Sequence, residues 1–298
     1  MADLPKVIVI VGPTASGKTD LSITLAKKIN GEIVSADSRQ VYKGLNLGTG
    51  KVTQKEMRGI PHHLLNVTSP KRVYAASHFV RDAKKAIAEI SKRGNVPIIC
   101  GGTGFYIDTL LGRMSIPEVP PNALLRKKLT NKTTAELFSM LKRKDKVRAQ
   151  TIDKQNPVRL IRALEIVEAI GKVPEQKVKD NYETLILGLT LPQVELDKRI
   201  HTRLLDRLKK GMLKEATKLH TQGLSWKRME DLGLEYRYMA RYLQGKLSKN
   251  EMVEQLEKEI IRYSKRQMTW FKRHKYVVWV GPKDNMKVEK LVKEVLKD

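Results

Sequence analysis

A single cysteine, Cys100, stands in 298 residues, inside the apolar run VPIIC. An intrachain disulfide is therefore excluded, as is a zinc site built from several thiolates. No stretch reaches the ~18 consecutive apolar residues that a membrane helix needs. The opening MADLPKVIVIVG has no basic leader ahead of a long apolar run and cleavage site. It reads as a first strand rather than a signal peptide, so a cytosolic protein that touches no membrane is expected. Acid is also scarce: 32 Asp and Glu stand against 58 Lys and Arg, a formal charge of +26. A compact chain with that excess repels itself, and a polyanionic partner is the natural counterweight. Apolar residues make up 41% of the chain, enough for a real core and too many for global disorder.

The basic excess is concentrated. One run, LLRKKLTNKTTAELFSMLKRKDKVRAQTIDKQNPVRLIR, spans Leu124 to Arg162, and a second, RYSKRQMTWFKRHK, spans Arg262 to Lys275. Such runs can be plain solvated faces. Two of them with few acids fit a phosphate backbone better.

Short β-branched runs alternate with helical patterns. Lys6–Val11, Glu32–Ala36, Val96–Cys100, Leu185–Leu189 and Val277–Val280 read as buried strands. Between Tyr74 and Arg93, Phe79, Ala83, Ala86, Ile87 and Ile90 recur on one side of a predicted helix. The alternation predicts an α/β fold, a parallel sheet flanked by helices of the P-loop type. From Gly112 to Glu183 prolines and Lys/Arg-rich helical patterns replace the strands. We therefore expect a core domain from residues 1–113 and 184–298, with C-terminal helices broken near Gly211, Gly223, Gly233 and Gly245, and a small helical insertion domain over 114–183.

The segment Gly12-Pro13-Thr14-Ala15-Ser16-Gly17-Lys18-Thr19 fits the phosphate-binding loop in full and lies between a strand and a helix, where such a loop must be. Its glycines let successive backbone N–H groups wrap phosphate oxygens at a helix N-terminus. Lys18 can neutralise the terminal phosphate, and the Thr19 hydroxyl can ligate Mg²⁺. An ATP enzyme of this class usually carries an Asp at the end of a further strand. Here Val96–Cys100 ends without one, and the carboxylate at a strand tip is Asp37. Ligands sit at strand tips in open parallel sheets, so Asp37 should face the phosphate loop. By position it could be a Mg²⁺ ligand or a general base.

Six blocks then occur in a fixed order: GPTASGKT, SADSRQVYKGLNLGTGK, GIPHHLL, GGTGFYI, RLIRALE and YSKRQMTWF. Together they resemble the tRNA dimethylallyltransferase (isopentenyltransferase) family, in its bacterial type. The resemblance implies that the phosphate loop holds the diphosphate of dimethylallyl diphosphate rather than ATP. It implies that the adenine 3′ to the anticodon, position 37 of the tRNA, is flipped into a channel. There its exocyclic amine attacks C1 of the prenyl donor, and diphosphate leaves with Mg²⁺. On that resemblance Asp37 is the base, while Lys18 and Thr19 stabilise the leaving diphosphate. Asp37, Ser38, Arg39, Gln40, Thr103, Arg126, Arg159 and Arg162 become the tRNA-contacting residues, the anticodon stem-loop the partner, and the enzyme a monomer.

Other features stay open. His62 and His63 are adjacent, point apart in extended chain and read as hydrogen-bonding residues that shape the loop rather than as metal ligands. Gly101, Gly102 and Gly104 fit a tight turn as well as a backbone approaching the prenyl chain or base. Trp270 and Phe271 have the spacing of core residues, with stacking on RNA as the alternative. Arg262, Arg266, Thr269 and Arg273 share one helical face, which suits phosphates or plain solvent. A P-loop kinase and a tRNA-binding module with an inactive loop are the rivals. The first leaves the charge unexplained, and the second leaves intact Lys18, Thr19 and Asp37 unused.

Overall fold

A computed structural model describes residues 4–175 and 178–297. Its strands are β1 (Lys6–Val11), β2 (Gly31–Ser35), β3 (His62–His63), β4 (Val96–Cys100), β5 (Glu183–Leu189) and β6 (Val277–Val280). They form one sheet in the order β3-β2-β4-β1-β5-β6, and every pairing is parallel. Val7 to Val11 are fully buried, as a strand covered on both faces requires. Ile10 and Ser35 both register with Cys100, so the tips of β1, β4 and β2 come out side by side. Because β4 lies between β1 and β2, the chain crosses over there, and in open parallel sheets ligands bind beyond the strand tips at such a point.

The expected strands all form. β3 is an addition that the sequence reading assigned to a loop. Two histidines carry no alternation to read; their extended shape comes from pairing with β2, Ile33 opposite His62. As expected of hydrogen-bonding residues, His63 places its Nε2 2.6 Å from the buried Glu32 carboxylate. Burial works to raise Glu32, but hydrogen bonds from Arg93, Asn95 and His63 outweigh it and hold the carboxyl at about 2.

Helices α1 (Lys18–Ile29), α2 (Gln54–Met57), α3 (Ala76–Lys92) and α4 (Gly104–Leu110) connect the first strands. The apolar stripe of α3 buries Phe79, Ala83, Ala86, Ile87 and Ile90, as its spacing predicts. Full burial of each large side chain contributes roughly 1.5–3 kcal/mol.

Residues Arg113–Lys179 make a compact unit of their own. It contains α5 (Ala123–Thr130), α6 (Thr134–Lys144), α7 (Lys146–Thr151) and α8 (Pro157–Ile170). Every one of these helices has a side-chain cap, from Asn122, Thr133, Asp145 and Asn156 respectively. Its core is Leu129, Leu137, Leu141, Leu160 and Leu164 with smaller neighbours. Capping satisfies the first N–H groups of short helices that could not otherwise stand alone.

The other unit takes in the sheet and Asp180–Asp298. Its remaining helices are α9 (Gln193–Lys209), α10 (Met212–Thr221), α11 (Trp226–Leu232), α12 (Leu234–Leu243), α13 (Lys249–Lys272) and α14 (Asn285–Lys297). Helices α9 to α13 share a core with Val41, Tyr42 and Leu45 from the segment after β2. Among the described residues no helix is long and apolar enough to cross a membrane.

Candidate active site

The phosphate loop leaves β1 through Gly12, whose φ is 144°. A Cβ there would sit 2.8 Å from the Leu189 carbonyl oxygen, so only glycine fits this bend. The loop ends at Gly17, which precedes α1 with φ 97° and gives it no side-chain cap. The first N–H groups of α1 are thereby left for a ligand, and the helix dipole is aimed at it. Ser16 is fully buried, and its hydroxyl has no partner among the described residues. A buried donor without a partner costs stability unless something binds it, which fits an anion in the loop. Thr19 lies exposed in the first turn of α1.

Lys18 sits at the base of this cradle, its Nζ donating to the Pro13 carbonyl at 2.6 Å. Burial holds its pKa down to about 8, helped by Arg203 and opposed by Cys100 and Asp37. The Asp37 charge is among those that act on Lys18, which ties the phosphate loop to the β2 carboxylate electrostatically.

Asp37 lies two residues beyond β2 in an Asx turn. Its Oδ1 accepts from the N–H of Arg39 at 2.8 Å and of Gln40 at 3.2 Å. These bonds fix the carboxylate through one oxygen; among the described residues Oδ2 accepts no hydrogen bond. The turn is pinned to the glycine loop after β4. Ser38 N–H donates to Thr103 Oγ1 at 3.1 Å, and Thr103 N–H donates to the Ala36 carbonyl at 3.2 Å. At Gly101 a Cβ would stand 2.2 Å from that same carbonyl oxygen, so the close approach of the two tips requires glycine. Gln40 reaches the Gly50 carbonyl with its side-chain amide at 3.4 Å.

Four further residues join the site: Lys51, Tyr263 and Gln267 lie within the recurring blocks without having been singled out, and Arg203 lies outside them. Gln267 of α13 accepts from the Thr14 N–H at 2.8 Å and donates to the Gly102 carbonyl at 2.9 Å. Tyr263, one turn earlier, is pushed up to about 12, chiefly by burial and then by the Asp37 charge. Lys51 is buried and donates to the Tyr42 carbonyl and to Asn66 Oδ1, both at 2.6 Å; burial brings its pKa to about 8 against the pull of Glu215 and Asp37. Arg203 of α9 is lowered to about 10 by burial and then by Arg207, while Glu235 and Asp37 pull the other way. The Asp37 charge thus acts on three buried or half-buried cations, Lys18, Lys51 and Arg203.

The segment between Asp37 and Lys51 is held from behind. Glu215 of α10 accepts from the N–H groups of Asn46, Leu47 and Gly48 at 3.0, 2.8 and 3.0 Å, and from the Tyr236 hydroxyl at 2.7 Å. Arg207 donates to the Gly48 carbonyl at 3.2 Å.

The C-terminal basic run divides. Trp270 Nε1 donates to the buried Asp108 at 2.9 Å, Arg273 donates to the same oxygen at 3.0 Å, and the Arg273 guanidinium stacks on the indole at 3.7 Å. A Cβ at Gly104 would lie 2.2 Å from Trp270. Trp270 and the buried Phe271 are therefore packing residues rather than a stacking platform. Arg262 pairs with Glu259 at 2.8 Å and Arg266 approaches it at 3.8 Å, both at the surface.

Three of the expected RNA contacts lie in the unit spanning Arg113–Lys179. Arg126 is bidentate to the buried Glu165 at 2.7 and 2.8 Å. Arg162 touches Glu165 at 3.4 Å and donates to the Val119 carbonyl at 2.6 Å. Arg159 is more exposed, with Asp153 4.0 Å away. The side chain of Arg126 remains 45% exposed, so an anchored guanidinium can still meet a phosphate.

A parallel sheet whose first strand carries a phosphate cradle, beside a carboxylate on the next strand's tip, defines a P-loop protein of the α/β class. The IPP transferase family model matches residues 40–274. A curated tRNA dimethylallyltransferase from Anoxybacillus flavithermus is 40% identical over 297 residues, covering 98% of this chain and 95% of that protein. The structure resembles the full-length tRNA isopentenylpyrophosphate transferase of Bacillus halodurans, with TM-score 0.76, 32% identity and coverage of 98% and 97% of the two chains. It also resembles a eukaryotic dimethylallyltransferase captured acting on tRNA, with TM-score 0.83 and 27% identity over 99% of this chain and 79% of that one. The chain belongs to the IPP transferase family.

Proposed function

We propose that this protein transfers a dimethylallyl group from dimethylallyl diphosphate to the N6 amine of the adenine 3′ to the anticodon, position 37 of tRNA. The observation that carries this reading is a half-buried carboxylate, Asp37, with one oxygen uncommitted and a field shared with Lys18 of the phosphate loop. The amine of adenine is a weak nucleophile because its lone pair is delocalised into the ring. As it attacks C1 of the prenyl donor, the bond from C1 to the diphosphate oxygen breaks and the amine loses a proton. Asp37 accepts that proton, an assistance worth ~10²–10⁴-fold. Negative charge grows on the departing diphosphate, where the α1 N-terminus, Lys18 and Arg203 stabilise it.

Oxygen donors suit Mg²⁺. The Thr19 hydroxyl, exposed beside the cradle, is the residue that would hold it. The ion would supply further neutralisation of the diphosphate when bound. A base stacked in an RNA loop cannot reach such a recess, so the adenine is extruded. Ser38, Arg39, Gln40 and Thr103 border the carboxylate and supply the groups to receive it. The charge of +26, with Arg126, Arg159 and Arg162, grips the RNA backbone. The enzyme acts as a monomer in the cytosol on this reading.

The test is direct: incubate the protein with dimethylallyl diphosphate, Mg²⁺ and unmodified tRNA, digest, and analyse nucleosides by mass. An adenosine heavier by one dimethylallyl group, at position 37, is expected. Folded protein that binds tRNA yet yields no such nucleoside would refute the activity.

A further inference from the structure

We propose that Gln267 sets the length of the phosphate cradle and makes it select diphosphate over triphosphate groups. The proposal rests on the reading that the loop holds a diphosphate, and it adds the residue that enforces the choice. In a phosphate-binding loop the run of N–H groups after the first glycine cradles the phosphate oxygens. Here one of those donors is already spent: the Thr14 N–H points at Gln267 Oε1, 2.8 Å away. The other end of the same amide donates to the Gly102 carbonyl at 2.9 Å. Gln267 therefore bridges the tips of β1 and β4 across the outer part of the loop.

Its position is enforced on both sides. A Cβ at Gly102 would lie 2.1 Å from Gln267 Nε2, so the amide sits directly against that backbone. Gln267 itself is 7% exposed, on the buried face of α13 with Ser264 at 0% and Phe271 at 2%. The side chain cannot swing away without breaking both bonds in a buried place, which is costly. A third phosphate entering beside Thr14 would find no donor there and would meet a carbonyl oxygen of like partial charge. The inner part of the loop is untouched: Ser16 Oγ, the uncapped start of α1 and Lys18 remain. That inner part is a cradle for two phosphates.

The experiment measures Kd for inorganic pyrophosphate and for tripolyphosphate on the full chain at fixed Mg²⁺. Binding that survives in Lys18→Ala is subtracted as attraction to the basic surface. The wild type should prefer pyrophosphate. Gln267→Ala returns the Thr14 N–H to the cradle, and a hydrogen bond to a charged group is worth roughly tenfold or more in affinity. The preference should therefore shrink about 10-fold, mainly through tighter tripolyphosphate binding. Gln267→Asn, one methylene shorter, cannot span both loops and should move the ratio the same way. It is the variant to read if a thermal melt shows that the alanine form does not fold. A general loosening of the site would weaken both anions together. An unchanged ratio in a folded variant would overturn the proposal, as would a wild type that prefers tripolyphosphate. A wild type that binds neither anion above the Lys18→Ala background would sink the diphosphate reading itself, and that result is seen before any Gln267 variant is made.

Discussion

The Asp37 carboxylate can be separated from its surroundings by mutation. Asp37→Ala removes the proposed proton acceptor while leaving Ser38, Gln40 and the basic surface in the chain. We expect kcat to fall ~10²-fold or more with little change in tRNA affinity, read by single-turnover kinetics beside a binding assay. Normal turnover in that variant would remove Asp37 as the base. Lys18 gives a second residue-scale expectation. Burial holds its pKa at about 8, so it is charged below that pH and increasingly neutral above it. A diphosphate needs the charged form. Pyrophosphate affinity, titrated from pH 7 to 10, should therefore decline as pH rises through about 8. A flat profile would show that the ammonium is not a partner of the anion. The P-loop and Asp37 were legible in the sequence because fixed spacing and a strand tip announce them. Gln267, Tyr263, Lys51 and Arg203 were not. Lys51, Tyr263 and Gln267 stand inside recurring blocks, but a block does not say which of its side chains reaches the site, and Arg203 is one cation among 58 basic residues; burial against a distant loop is what makes each matter.

At the scale of elements, long signals were readable and short ones were not. The five β-branched runs became strands and the α3 stripe became a buried face, because each repeats its period several times. β3 has two residues, and its conformation is dictated by β2. Its pairing brings His63 to Glu32, where Arg93 and Asn95 complete an acidic anchor at the sheet edge. Glu32 sits at about 2 in the folded protein against an ordinary 4.5. The folded state therefore gains stability from the ionised carboxylate above about 4.5, and that gain is lost as pH falls through about 2. Denaturant melts across this range should show a steep acid limb in the wild type. Glu32→Gln should be less stable near neutrality and should show a shallower limb. An identical slope in the two proteins would remove Glu32 as its source.

Over the whole molecule the surplus of positive charge is the dominant property, and it was fully legible, being a matter of counting. Counting did not reveal how many of those cations are already occupied: Arg126 and Arg162 hold Glu165, and Arg273 holds Asp108. Each phosphate contact releases counterions, so log affinity for tRNA should fall linearly and steeply with log salt. Filter binding between 50 and 200 mM KCl tests this. Arg159→Ala, at an exposed position, should lower the slope by about one contact. An equally steep line for that variant would place the RNA elsewhere.

The two loops flanking the chemistry are both fastened by residues that arrive late in translation. Glu215 clasps the backbone of Asn46 to Gly48, and Gln267 tethers the phosphate loop to its neighbour. The ribosome makes the phosphate loop and Asp37 well before α13, yet the contacts that fasten them are finished only once α13 has cleared the exit tunnel. A chain cut short before α13 would thus carry the phosphate loop and Asp37 without the residues that fasten them, so neither prenyl transfer nor diphosphate capture is expected of it.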